Sequence, residues 1–185
     1  MSRSAAVLVS VLVFTACGIA QAASFTLSSP TAKPGAKLPE THVFNSFGCS
    51  GKNVSPALKW SGAPKDTKSF AVTVYDPDAP TGSGWWHWVV INLPASTTEL
   101  PEGAGGADGK GLPAGAMQVR TDFGAPGFGG ACPPKGDKPH RYIFTVYALK
   151  TDKLEVPADG TAALAGFMIN GNKLGSATFT SKYGR

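Results

Sequence analysis

Twenty-three glycines and fifteen prolines are spread along the 185 residues, and few stretches between them could carry a long helix. Proline lacks the amide hydrogen that a helix interior needs and clashes with the preceding turn, while each interior glycine costs about 1 kcal/mol relative to alanine. The segments between these breaks alternate instead. In Phe70–Tyr75, Phe70, Val72 and Val74 alternate with Ala71, Thr73 and Tyr75; Trp85–Leu93 resumes the pattern, and His140–Leu149 (HRYIFTVYAL) repeats it. A period of two rich in β-branched and aromatic residues predicts strands. Shorter strands are expected at Ser24–Leu27, Glu40–Phe47, Leu58–Trp60 and Ala116–Arg120, with a last one at Leu174–Tyr183. One helix is expected, Ala162–Asn170, started by Asp159 or Thr161 and stopped by Gly171. The predicted class is all-β dominated, with one or two short peripheral helices.

The first 22 residues are set aside as a signal peptide. Arg3 gives a positive start, Ala5–Ala16 an apolar core, and Ala20-Gln21-Ala22 a small-x-small cleavage site, so residues 23–185 form the expected single domain and the destination is periplasmic or secreted. The sequence Phe14-Thr15-Ala16-Cys17 admits a lipoprotein signal as the alternative. The apolar run is shorter than the ~20 residues of a membrane-spanning helix. Without Arg3 the 17 basic side chains become 16 against 12 acidic ones, and the lysines are dispersed, which speaks against nucleic-acid binding. Cys17 leaves with the leader; Cys49 and Cys132 remain, and in an oxidising compartment an even pair predicts a disulfide.

The chemistry gathers around the loop between the two central strands. Asp76-Pro77-Asp78-Ala79-Pro80 follows the first strand, Thr81–Gly84 turns the chain, and Trp85, His87, Val89 and Ile91 are expected on one face of the next. His140 and Tyr142 share a face at the start of the third strong strand. Two imidazoles and a phenol oriented by Asp76 suit a phosphate or carboxylate through charge-assisted hydrogen bonds. The competing readings are satisfied core histidines, and a two-histidine, one-carboxylate metal site from Asp76, His87 and His140. Ser83 lacks the strained turn of a nucleophile, and the glycines between Ala95 and Pro126 lack the Gly-Lys-Ser/Thr of a phosphate loop; they suggest a close-packed wall. His42, with no chemical neighbour in sequence, is expected at or near the surface.

Three blocks carry a family resemblance: Ser55-Pro56 with Leu58 and Trp60; Asp76-Pro77-Asp78-Ala79-Pro80 with Gly84-Trp85-Trp86-His87-Trp88; and Pro133-Pro134-Lys135-Gly136-Asp137-Lys138-Pro139-His140-Arg141-Tyr142. In type, order and spacing they resemble the phosphatidylethanolamine-binding proteins, also called Raf kinase inhibitor proteins, in their exported bacterial branch. The resemblance spans nearly all of residues 24–185. It implies a two-sheet Greek-key β-fold with peripheral helices, no cofactor or metal, no enzymatic activity, and a small pocket for phosphate-type anions and phospholipid head groups. Matched by position, Asp76, His87, His140 and Tyr142 would form its polar floor, and Pro80, Trp85, Pro133 and Pro134 its walls. Animal members often have glycine before the paired prolines where this chain has Cys132, which would place the rim under the expected bridge. Trp86 stands where another histidine is common. Family members also act as kinase or protease inhibitors, so a protein partner is the alternative.

Overall fold

The computed structural model describes residues 24–185; the expected leader, with Cys17, lies outside that range. In chain order the strands are β1 (Thr26–Ser28), β2 (Leu58–Ser61), β3 (Ser69–Asp76), β4 (Trp85–Pro94), β5 (Glu99–Leu100), β6 (Met117–Gln118), β7 (His140–Leu149) and, after helix α1 (Ala162–Asn172), β8 (Lys173–Tyr183). They form two sheets, β1-β2-β5 and β6-β4-β3-β7-β8, with every ladder antiparallel.

Three layers follow from where the apolar side chains point. Leu58 and Trp60 turn inward from the small sheet and meet Phe70, Val72, Val74, Phe144 and Val146 on the near face of the large one. On the far face, Ala71, Val89, Ile91 and Leu149 pack beneath Ala162, Ala165 and Ile169 of α1. This second cover explains why β3 and β4 are buried along nearly their whole length rather than on alternate residues. The long edge of β8 is guarded as well: the Gly35 amide donates to the Thr180 carbonyl, the Leu38 amide to the Lys182 carbonyl and the Lys182 amide to the Ala36 carbonyl, laying the lead-in segment along it.

Several sequence expectations shift. Glu40–Phe47 is not a strand. Pro39 leads instead into a 3-10 turn, Glu40–His42, and His42 is buried at 1% exposure with Nδ1–H donating to the Val54 carbonyl at 2.7 Å. β5 was not anticipated, because two residues are too few to show a period. Thr161 caps α1 through its side chain, which accepts from Leu164 N, but Gly171 does not stop the helix. It does not take the left-handed conformation of a terminating glycine, and the helix continues to Asn172, whose side-chain amide donates to the Met168 carbonyl.

β4 carries two irregularities that matter for the site. Tyr75 opposes Trp86 and Val74 opposes Trp88, leaving His87 as an extra residue; further on, Phe70 opposes Leu93 and Val72 opposes Val90, so Ile91 and Asn92 together face Ala71. An inserted residue changes which face the following side chains occupy. The expected common face of Trp85, His87, Val89 and Ile91 is therefore split: Val89 and Ile91 lie under α1, while His87 turns to the other face and meets the Tyr142 ring edge-on at 5.1 Å.

Candidate functional site

At the end of the large sheet where β3 finishes and β4 and β7 begin, the structure leaves a cleft of about 160 Å³. Asp76, His87, His140, Tyr142, Pro80, Trp85, Pro133 and Pro134 all line it, together with Phe47, Ala79, Thr81, Phe123 and Cys132.

Each polar side chain is placed by its own local structure. Pro77 cannot continue the ladder, so β3 ends at Asp76, whose Oδ1 accepts from the Asp78 amide at 2.8 Å and whose Oδ2 accepts from His140 Nδ1 at 2.7 Å. Both side chains are almost completely buried. The other His140 nitrogen, Nε2, has an Asp137 carboxyl oxygen 3.3 Å away. Asp78, grouped by sequence with Asp76, turns out of the cleft. It accepts from the backbone amide, Nε and Nη2 of Arg141, and the guanidinium holds its carboxyl at about 2, well below the usual carboxylate range. Its work is to tie the loop to β7. Ser83 is likewise a turn residue, exposed, with its carbonyl accepting from Tyr75. Gly84 beside it has φ +69° and no room for a Cβ against the Tyr75 hydroxyl and Asp76 backbone.

His87 is delivered by the β4 irregularity. Its Nδ1–H donates to the Gly129 carbonyl at 2.7 Å, which fixes the tautomer and leaves Nε2 as the acceptor. Burial pushes this imidazole down from its ordinary pKa. Gly129 approaches closely because a Cβ there would collide with the Phe123 ring. Tyr142, 1% exposed, lines the cleft, and its buried hydroxyl has no hydrogen-bond partner. The Cys132 amide is near enough to ease its ionisation slightly but lies outside hydrogen-bonding geometry, and burial keeps the phenol protonated well past its ordinary range. Among the described residues the other orphaned buried side-chain atom is Trp60 Nε1, in the core between the sheets.

The walls are aromatic and proline. Phe123 packs edge-on against both Trp85 (5.5 Å) and His87 (5.3 Å), and Phe44 and Phe47 extend the cluster to the mouth, where Phe47 is 64% exposed with φ +54°. Cys49 and Cys132 are joined, closing 83 residues of sequence and fastening the Phe47 loop to the paired prolines. Arg185 makes the same connection a second time: Nε donates to the Pro133 carbonyl at 2.7 Å, Nη1 to Gly48 at 2.7 Å and Nη2 to Phe47 at 3.3 Å. Sequence reasoning missed Arg185, Phe47 and Phe123 as residues of the site: Phe47 reads only as the end of an expected strand, and Arg185 and Phe123 sit beside no motif. Trp86, where the family often has histidine, packs on Tyr75 and towards α1 rather than into the cleft. No cluster of three metal-ligating side chains occurs among the described residues.

The sequence and the fold are similar to those of known proteins. The family described as "Phosphatidylethanolamine-binding protein" matches residues 28–184. UPF0098 protein YbcL of Escherichia coli strain K12 is 60% identical over 164 residues, covering 89% of this chain and 90% of that protein. UPF0098 protein YbhB of the same strain is 52% identical over 157 residues, 85% and 98% of the two chains. The crystal structure of E. coli YbcL, described as a new member of the mammalian PEBP family, superposes with a TM-score of 0.86 at 59% identity, covering 88% of this chain and 99% of that one.

Proposed function

Because the chain belongs to the phosphatidylethanolamine-binding protein family, we propose that it is an exported, non-enzymatic protein whose cleft binds a small phosphate-type anion or a phospholipid head group. One observation carries the reading. The buried Tyr142 hydroxyl has no hydrogen-bond partner, and Tyr142 lines a cleft that His87 and the Asp76–His140 pair also line. An unsatisfied buried hydroxyl costs about 1–3 kcal/mol, a penalty that a bound oxyanion would lift. Export is supported by the leader-like start of the sequence and by the disulfide, a bond that persists in oxidising compartments. No helix among the described residues is long and apolar enough to cross a membrane.

Calorimetric titration with inorganic phosphate and phosphoethanolamine tests the proposal on the parent protein, His140→Ala and Tyr142→Phe. His140→Ala is expected to abolish binding, but it also strips Asp76 of a buried partner. Tyr142→Phe is the cleaner probe, expected to weaken binding about tenfold while stability holds or rises, since only an unpaired hydroxyl is removed. Unchanged affinity in a folded Tyr142→Phe protein would remove the cleft from the binding reaction.

The exposed Phe47 at the mouth favours a second reading, inhibition of a kinase or protease through contacts at the rim. Phe47→Ser would then abolish inhibition, whereas Tyr142→Phe would leave it intact.

A further inference from the structure

Resting on the anion-binding reading, we infer that the cleft selects anions that themselves carry a hydrogen-bond donor, phosphate with a P–O–H group or an ammonium-bearing phosphoester, over anions without one such as sulfate. The juxtaposition behind this is a bare imidazole nitrogen and a buried carboxyl group facing one small cleft without a cation. His87 Nδ1–H is committed to the Gly129 carbonyl, so Nε2 offers a lone pair. Asp76 accepts at both oxygens and adds further lone pairs to the floor. Among the described residues neither Lys nor Arg lines the cleft. The two nearby guanidiniums are spent elsewhere, Arg141 on Asp78 and Arg185 on the carbonyls of Phe47, Gly48 and Pro133.

A dianion without a proton would meet the Tyr142 hydroxyl as a donor, His140 being engaged by Asp76 and Asp137, but would set its remaining lone pairs against His87 Nε2 and Asp76. An anion with a P–O–H or N–H group can donate to one of these acceptors. A site whose buried groups require a donor discriminates strongly against an analogue lacking it, because its acceptors are then left unpaired. The titratable groups facing the ligand are Asp76 on β3, His87 on β4, and His140 and Tyr142 on β7. Asp137 stands beside His140, and the charge of Asp122, after β6, reaches His87. A fall in affinity with rising pH could therefore originate in the protein as well as in the ligand. The test must separate the two.

Calorimetry of the disulfide-bonded protein with phosphate, sulfate and dimethyl phosphate, each at pH 5.5 and 8.0 and constant ionic strength, does so. Dimethyl phosphate keeps one charge and no donor at both pH values, so it reports the protein's own titration. At pH 5.5 phosphate is expected to bind about tenfold or more tightly than sulfate, the factor that one unmet buried acceptor produces. At pH 8.0 phosphate is mainly a dianion but keeps one P–O–H, so it should hold its advantage over sulfate, while dimethyl phosphate changes little. Sulfate binding as tightly as phosphate at pH 5.5 would overturn the inference and leave the anion site standing. Dimethyl phosphate, which has the charge but no donor, binding as tightly as phosphate at pH 5.5 would also overturn it. Silence from all three probes would overturn both this inference and the anion-site reading.

Discussion

Strand β4 is interrupted twice, and its two interruptions are resolved in opposite ways. At the far end Asn92, with φ +60°, closes its own account: Nδ2 donates to the Leu154 carbonyl at 3.2 Å and Oδ1 accepts from the Leu154 amide at 2.8 Å. At the near end His87 satisfies only one nitrogen within the protein, and beside it Tyr142 satisfies nothing. Both devices add a residue to the same strand and re-aim a side chain. The difference teaches which one is structural. A buried polar side chain with all its partners specifies packing, whereas one left short of partners in an open cleft marks a place kept for something else.

The largest expected effect is at the near end. Replacing Cys49 and Cys132 by serine removes a link across 83 residues, which in the chain-entropy model is worth about 4 kcal/mol of stability. The same bond fastens the Phe47 loop to Pro133, so denaturant unfolding and phosphate affinity should both deteriorate. Retained affinity in the double serine variant would show that Arg185 alone holds the rim.

Next comes the far end. Asn92→Ala is expected to cost about 3 kcal/mol, combining a buried Leu154 amide left unpaired with a non-glycine residue forced to positive φ. Asn92→Gly should recover about 1 kcal/mol of that by removing the backbone penalty alone. Neither should change anion affinity. An Asn92→Ala protein that unfolds normally but binds poorly would mean the two ends of β4 communicate, and the contrast drawn above would fail.

What the sequence disclosed and what it hid divide along similar lines. The long strands were legible because Phe70–Tyr75 and His140–Leu149 alternate over enough residues to fix a period, and the cleft residues were legible because they cluster at punctuated strand ends. The irregularity at His87 was invisible: an inserted residue preserves local composition and shows itself only in the partner strand's register, so the face of Val89 and Ile91 was misjudged. His42 was misplaced for a related reason, since its burial depends on the Val54 carbonyl, brought over by a turn rather than by any local pattern. Asp78 and Asp76 look alike in sequence, and only the reach of Arg141 from β7 separates a loop tether from a cleft residue. Arg185 lies 137 residues from the Gly48 carbonyl it binds, a distance over which no motif operates.

The smallest effect sharpens the comparison most, because it uses a proton in place of a deletion. Burial lowers the folded-state pKa of His87, whereas in the unfolded chain the imidazole returns to about 6.5. Below that value the unfolded state takes up a proton that the folded state refuses, so the contribution is full above pH 6.5 and is lost as the pH falls beneath it. One proton corresponds to a slope of at most about 1.4 kcal/mol per pH unit. Asp78 cannot imitate this, since its carboxyl is held at about 2 against an ordinary 3.8, and its contribution disappears only below pH 3.8. His87→Gln can still donate to the Gly129 carbonyl but does not titrate, so its stability measured by denaturant between pH 7 and 5 should fall less steeply than the parent's. Asn92→Ala should lower the whole curve without altering its slope. Parallel curves for the parent and His87→Gln would mean that His87 gains its proton as readily folded as unfolded. It would then be as well accommodated as Asn92, and the near end of β4 would lose its claim to an acceptor held open for a ligand.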